Sequence, residues 1–315
     1  SEVTNKAEDK IQEIQSSTQN KGLTNKPFSS PGIRRLAREL EINLSLVSAT
    51  GLKGRVTKED LHGYIKNKMS SSSSAKIPSG VLNIDFSKWG EIEENPLSKI
   101  KKITGQRLQA AWQNIPHVTQ FDNADISSLN EYRQKLKSKN KPITFLPFII
   151  KALYETLKKF PEFNSSLSAD GGTLIIKRYF DFGIAVDTPS GLMVPVIRNI
   201  DSKTLFEISE ELKEISTRAR GGKLKTEEMK GGTFTISSLG GIGGSYFTPI
   251  INPPEVAIIG ISKSSWQATY DAINKEIVPR FVMPFSLSYD HRVIDGASAA
   301  SFTTNFSNNI SKIKL

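Results

Sequence analysis

The chain has 315 residues, no cysteine, a hydrophobic fraction of 37% and a net charge of +10. The lack of cysteine excludes a disulfide scaffold, thiolate metal sites and any cysteinyl intermediate. No apolar run reaches the roughly 18 residues of a membrane span, no signal-peptide pattern opens the chain, and at about 150 residues per domain the length allows two domains with linkers.

Residues 1–26 carry four basic and four acidic side chains among Ser, Thr, Asn and Gln, with almost no apolar periodicity. This is the composition of a flexible linker, too polar to bury a core. Residues 27–68 read as a small helical domain. Ser30 is placed to cap a helix with Pro31 in its first turn, and Ile33, Leu36 and Ala37 share one face. After the loop NLSLVSATGLKGRV, a second short helix begins behind the cap Thr57. A unit of about 40 residues is near the lower limit for folding without metal or disulfides, so it cannot bury Arg34, Arg35, Arg38 and Arg55. Residues 27–69 hold eight basic against four acidic side chains, the most concentrated positive excess in the chain. Such a face is a solvated surface or a docking surface, for nucleic acid or for an acidic protein partner. His62, in the second helix, is assigned no chemical role. Residues 69–82, containing a run of serines, read as a flexible connector.

Residues 83–315 change character. Leu97, Ile100, Ile103, Leu108 and Ala111 at helical spacing predict a helix over about 97–113, stopped by Pro116 before a strand at IPHVTQFDNADIS. Ser128 and Glu131 form a capping-box pattern, and TFLPFIIKALYETLKKF is apolar nearly all round, as in a buried helix. Three short strands follow between 174 and 199, with a turn at DTPSG. Thr204 and Glu207 give a second capping box, and Gly221 and Gly222 end that helix. The last third alternates strands with Gly-rich loops and closes on a helix from about Gly296 to Lys312. GGIGG at 240–244 lacks the G-x-G-x-x-G spacing of a dinucleotide loop and reads as a tight turn. The mixture predicts an α/β domain with a mixed sheet.

The stretch SYDHRVIDG, residues 288–296, places His291 at a strand-to-helix junction, four residues before Asp295. Histidine takes and returns a proton near neutrality, and a rigid junction lets its ring point into a cleft. A histidine beside Asp and Arg is also a common salt-bridged surface residue, so this stretch alone does not establish chemistry. His117, in IPHVT, is the competing histidine; a hydrogen-bonded structural role is its default.

PGIRRLAREL with TGLKGRVTKEDL, then IPHVTQFD, FPEFNSSL, FGIAVDTPSGLMVPVI, FTISSLGGIGGSYFTPIINPPEVAIIGIS and SYDHRVIDG occur in one order. In these blocks the chain resembles the dihydrolipoyl acyltransferase component of 2-oxo-acid dehydrogenase complexes, over about residues 27 to 315. The front blocks resemble its peripheral subunit-binding domain, and the rest its catalytic domain. IDFSKWGEIEENPLSKI is most similar to the acetyltransferases of bacterial pyruvate dehydrogenase complexes. The resemblance implies a chloramphenicol acetyltransferase-like fold, homotrimers with active sites between subunits, and a cubic core built from trimers. Implied partners are dihydrolipoyl dehydrogenase and the pyruvate decarboxylase component, docked on the arginine face, with no nucleic acid and no membrane. The implied location is the cytoplasm of a bacterium or the matrix of a mitochondrion. The family's swinging lipoyl domain carries a lipoylated lysine on a hairpin. No strands flank NKAEDK, so Lys6 is not such a site, and the sequence is expected to begin downstream of that domain.

The resemblance implies acetyl transfer between dihydrolipoamide and coenzyme A, a thioester moving from one thiol to another. A thiol with a pKa near 8.5 needs a base at neutral pH, and His291 matches the family's catalytic histidine. The tetrahedral intermediate needs a donor for its oxyanion, and Ser237 matches the family position that supplies one. Asp295 matches an acidic or amide residue that either holds the loop through an ion pair or assists proton transfer. Succinyl or branched-chain acyl groups, and a purely docking core protein, are the alternatives.

Overall fold

The computed structural model describes residues 28–40, 42–72 and 84–313, apart from the side chains of 67–72. Lys6 and the linker of residues 1–26 lie outside the described residues, as does most of the Ser-rich connector. The chain divides into two compact units, Ser1–Glu93 and Glu94–Leu315.

The first unit contains β1 (Phe28–Ser29), α1 (Pro31–Glu39), β2 (Arg55–Val56) and α2 (Lys58–Ser72), with β1 and β2 parallel. Ser30 caps α1 by accepting from the Ile33 N–H at 3.4 Å, with Pro31 in the first turn, as the sequence predicts. Ala37, Val47, Val56 and Leu61 form the buried core, with Ile33, Leu36 and Tyr64 packed around it. Thr57 caps α2 by accepting from the Asp60 N–H at 3.2 Å. Asp60 in return accepts from the Thr57 N–H at 2.8 Å, the Thr50 N–H at 3.0 Å and the Thr50 hydroxyl at 2.6 Å. Those bonds, the Thr50 hydroxyl foremost, hold the Asp60 carboxyl far below the usual carboxylate range. The backbone of α2 runs on to Ser72, into the stretch read as connector, because no Gly or Pro interrupts it after Gly63.

The second unit begins with α3 (Lys99–Asn114), capped by Ser98. There follow β3 (His117–Asp125), α4 (Ser127–Ser138) and α5 (Leu146–Lys159), then β4 (Ser165–Leu167), β5 (Leu174–Ile176), β6 (Phe182–Thr188), β7 (Gly191–Met193) and β8 (Val196–Ile197). The chain continues through α6 (Leu205–Arg220), β9 (Phe234–Ser238), β10 (Ala257–Ile261), β11 (Ser265–Asp271), β12 (Glu276–Asp290) and α7 (Gly296–Ser311). Four strands, β5 to β8, occupy the region read as three. The helix predicted behind a Ser128 cap begins two residues earlier, with Ile126 at the cap position. There Asp125 accepts from the Ser127 N–H at 2.9 Å and its hydroxyl at 2.6 Å, a local turn that competes with the box. The Thr204–Glu207 box is present. Gly222, at φ +66°, follows α6 and meets the requirement for a left-handed residue just past a helix end. GGIGG is a turn, with Gly243 and Gly244 at positive φ.

The main sheet is mixed. β6, β9 and β10 are parallel neighbours, and β10 pairs antiparallel with the long β12, which pairs on with β3 and β11. Alternation along these strands divides the faces. Ile184, Ile236, Ile259, Phe285, Leu287 and Tyr289 join one buried core with Phe148 and Leu153 of α5, Ile208 of α6, and Phe302 and Phe306 of α7. The opposite face carries small and polar groups: Gly183, Thr235, Ser237, Gly260, Ser286 and Ser288. Among the described residues no helix is long and apolar enough to cross a membrane.

Candidate active site

His291 follows the last residue of β12. The preceding Asp290 is 2% exposed and anchors the junction. Its carboxylate accepts from the Arg292 N–H at 3.0 Å and pairs with the guanidinium at 2.6 Å, which raises the pKa of Arg292. The Asp290 carbonyl accepts from the Val293 and Ile294 N–H groups, and the His291 N–H donates to the Pro116 carbonyl, all at 3.0 Å. Ile294 is buried. The backbone is thus tied on both sides of His291 while its ring stays exposed. Among the described residues the ring makes no hydrogen bond; its aromatic neighbour is Tyr289, 6.0 Å between centroids. The Arg292 noticed in the sequence therefore serves Asp290, and Asp290 is the residue that sequence reasoning missed.

Asp295 caps α7, its carboxylate accepting from the Ser298 N–H at 2.8 Å. It takes part in no ion pair among the described residues, and its role within the chain is that of a helix cap. Its charge also reaches Tyr289, whose hydroxyl is pushed up chiefly by burial and secondarily by Asp295.

Ser237 is half-buried on β9, on the polar face of the sheet. Its hydroxyl has no hydrogen-bond partner among the described residues. Ser237 pairs with Gly260, and Gly260 with Ser286. His291 lies five residues beyond Ser286, about 16 Å further along at 3.3 Å per residue, and two strands away. A single chain does not bring Ser237 and His291 together.

His117 opens β3 opposite Asp290. Its Nε2 accepts from the Ile251 N–H at 3.0 Å, so the ring proton is on Nδ1, which donates to the Ile115 carbonyl at 2.8 Å. The ring also stacks on Trp112 at 5.3 Å. Both nitrogens are occupied by backbone groups, which leaves no free lone pair for a substrate proton.

In the first unit Arg34, Arg35, Arg38 and Arg55 are all exposed, but they are not equivalent. Arg34 Nε donates to the Ser29 hydroxyl at 3.2 Å, and Arg55 lies over the Phe28 ring at 5.3 Å, so both border β1. Arg38 stands one helical turn from Arg34 and donates to its carbonyl at 3.3 Å. Arg35 pairs with Glu39 at 2.9 Å, which offsets its charge.

The chain thus combines a basic two-helix unit with a mixed-sheet domain that presents an exposed, backbone-anchored histidine. Two family models match accordingly: the catalytic domain of the 2-oxoacid dehydrogenases acyltransferases over residues 90–315, and the e3 binding domain over residues 27–62. The chain belongs to the 2-oxoacid dehydrogenase acyltransferase family. The dihydrolipoyllysine-residue acetyltransferase component of the pyruvate dehydrogenase complex from Cupriavidus necator is 49% identical over 303 residues, covering 90% of this chain and 54% of the relative. Its counterpart from Buchnera aphidicola subsp. Acyrthosiphon pisum is 48% identical over 283 residues, 88% of this chain and 70% of the relative. The solved cubic core of a pyruvate dehydrogenase multienzyme complex is 48% identical with a TM-score of 0.72, covering 74% of this chain and 97% of that one. The chain spans about half the length of the Cupriavidus relative and of its Haemophilus influenzae counterpart.

Proposed function

We propose that the chain transfers an acetyl group between dihydrolipoamide and coenzyme A, at sites formed by His291 of one copy and Ser237 of a second. The observation that carries this reading is the state of the two side chains. Each lacks an intrachain hydrogen-bond partner among the described residues, and they stand too far apart in one chain to share a substrate. A ring fixed by its backbone and open at both nitrogens suits a general base. A free hydroxyl suits an oxyanion donor. A solved dihydrolipoamide acetyltransferase from Azotobacter vinelandii concerns a serine, a histidine and an asparagine in that enzyme's catalytic mechanism. Ser237 and His291 supply two of those residue types here, and Asp295 stands in the third position of the motif.

The steps follow from the groups. His291 takes the proton of the coenzyme A thiol, and the thiolate adds to the carbonyl carbon of the acetyl thioester on dihydrolipoamide. The negative oxygen of the tetrahedral adduct accepts the Ser237 hydroxyl hydrogen. Collapse breaks the bond to the dihydrolipoyl sulfur, which receives the proton back from His291. Asp295 keeps the start of α7, and with it the His291 turn, in one geometry. The subunit-docking unit would hold dihydrolipoyl dehydrogenase, and the second unit would assemble as trimers into a cubic core. The lipoyl group and coenzyme A enter as substrates, in a soluble bacterial complex.

The test is an assay of free dihydrolipoamide with a panel of acyl-CoA thioesters. The acetyl thioester should react fastest, and His291→Asn should remove most turnover while leaving assembly unchanged. A preference for succinyl or branched acyl groups would move the chain to a sister complex. Unaltered turnover in His291→Asn would remove the base assignment.

A further inference from the structure

Glu255, just before β10, is an ionisable residue where the packing supplies almost nothing to hold a charge. It is 4% exposed. One carboxyl oxygen, Oε1, accepts from the Asn252 side-chain amide at 3.3 Å. The other, Oε2, is buried without a hydrogen-bond partner. The Thr235 hydroxyl oxygen on β9 is likewise buried without a partner of normal geometry, and it sits against this same carboxyl. A Cβ on Gly232 would stand 3.0 Å from Oε1, next to Val196 and the Gly183 N–H, so the carboxyl lies against the lead-in to β9 and reaches toward β6. Register continues the contact to the other side. Ala257 pairs with Tyr289 and the Asp290 N–H donates to the Val256 carbonyl at 2.8 Å, which puts Glu255 level with His291.

Among the described residues no cation lies within ion-pair distance of the carboxyl. Lys177, beyond β5, has its ammonium directed at the Ser165 carbonyl at 3.3 Å and acts on Glu255 only through space. Asp181 pairs with Arg198 at 3.1 Å and Asp290 with Arg292 at 2.6 Å, so the other charges at this end of the sheet answer each other. An ionised carboxylate left with one long amide bond is strongly disfavoured in such surroundings. A carboxylic acid has an O–H donor, and the Thr235 hydroxyl against the carboxyl gives that proton an acceptor.

We propose that Glu255 is a positioning residue that works as an uncharged carboxylic acid, tying the start of β9 to the turn before β10. Thr235 is two residues before Ser237 and on the same face of the same strand. The tie therefore fixes the strand that delivers Ser237 against the end of the sheet that presents His291. On the proposed function, where each site draws Ser237 from a second copy, a small slip of β9 displaces the donor from the oxyanion, and misplacement on the scale of an ångström is costly to catalysis. Burial as the dominant cause, opposed by Thr235, Lys177 and Asn252, pushes the pKa of Glu255 up to about 7, which agrees with this state.

The test uses the assembled protein with Glu255→Gln, Glu255→Leu and Thr235→Val. Thermal stability is measured without substrate from acid to mildly alkaline pH. The folded acid keeps its proton up to about pH 7, whereas the unfolded one loses it near 4.5. Between those values the native state binds more protons, so stability falls as pH rises and levels off above that window. Wild type should show this decline and Glu255→Gln should lack it. In acetyl transfer at pH 6, below the Glu255 pKa of about 7, Glu255→Gln, a neutral isostere, should keep kcat within about twofold. Glu255→Leu and Thr235→Val should each lose about tenfold in kcat with KM unchanged, and the double variant should lose no more than either alone. Equal pH slopes in wild type and Glu255→Gln, or a Glu255→Gln as impaired as Glu255→Leu, would overturn the proposal. Absence of acetyl transfer in wild type would remove the functional reading instead, and the pH comparison would still decide the charge of Glu255.

Discussion

His291 depends on a backbone that cannot move and a ring that can react, and the two requirements are met by different residues. Asp290 and the Pro116 carbonyl hold the chain, and nothing among the described residues occupies the ring nitrogens. Ser237 is the complementary case, a hydroxyl on a strand with no hydrogen-bond partner among the described residues. Ser237→Ala should therefore lower kcat by roughly 100- to 1,000-fold, as expected for one oxyanion donor, with KM nearly unchanged because the charge exists only in the transition state. Steady-state kinetics with both substrates separates the two constants, and a loss confined to KM would make Ser237 a ground-state contact. The arginine face divides at this same scale. Arg34→Ala and Arg55→Ala should each weaken dihydrolipoyl dehydrogenase binding more than Arg35→Ala, whose charge is already offset by Glu39. Titration calorimetry at physiological salt ranks the three, and an equal loss from Arg35 would show that the Glu39 pair opens on docking.

The first unit illustrates how a few polar bonds substitute for core volume at the scale of an element. Among the described residues its buried core is four side chains, and the Asp60 carboxylate joins the Thr50 loop to the start of α2. The folded-state pKa of Asp60 lies well below its ordinary value. Its contribution is thus complete above the unfolded pKa of about 3.8 and is lost as pH falls below it. Asp60→Asn should lower the stability of this unit at neutral pH and flatten its acid response, read by hydrogen exchange at α2 amides in the full chain. An acid response identical to wild type would mean that another carboxylate controls it. Much of this element level is legible in the sequence: the Ser30, Thr57 and Thr204 caps and the buried helix at 146–159 follow from local spacing. The Ser128 box failed because Asp125, three residues upstream, offered Ser127 a closer partner, a choice set by the end of β3 rather than by the helix pattern.

For the whole molecule, the sheet register sets Ser237 on β9 well short of the end of β12 that His291 follows, so on the proposed function a working site draws on two copies. This has a direct consequence. A preparation that mixes equal amounts of His291→Asn and Ser237→Ala chains before assembly should recover about a quarter of wild-type activity, because sites drawing one residue from each intact chain are restored. Mixing after assembly should recover none. Failure of the first mixture would place both groups in one chain's site and contradict the register argument.

The sequence by itself determined the local matters: a basic two-helix unit, an α/β domain, most of the helix caps, and the residue types able to act as base and oxyanion donor. These depend on neighbours three or four residues away or on side-chain chemistry, which the order of residues states directly. The tertiary structure alone decided that His117 is locked by Ile115 and Ile251, that Asp290 anchors the His291 turn, and that Asp295 caps a helix. It also decided that Glu255 is buried with no ion-pair partner among the described residues, and that Ser237 stands far from His291 in its own chain. Each of these depends on partners brought together from distant positions or on the pairing of separate strands, and strand register is fixed by burial across the whole sheet, which no local pattern carries.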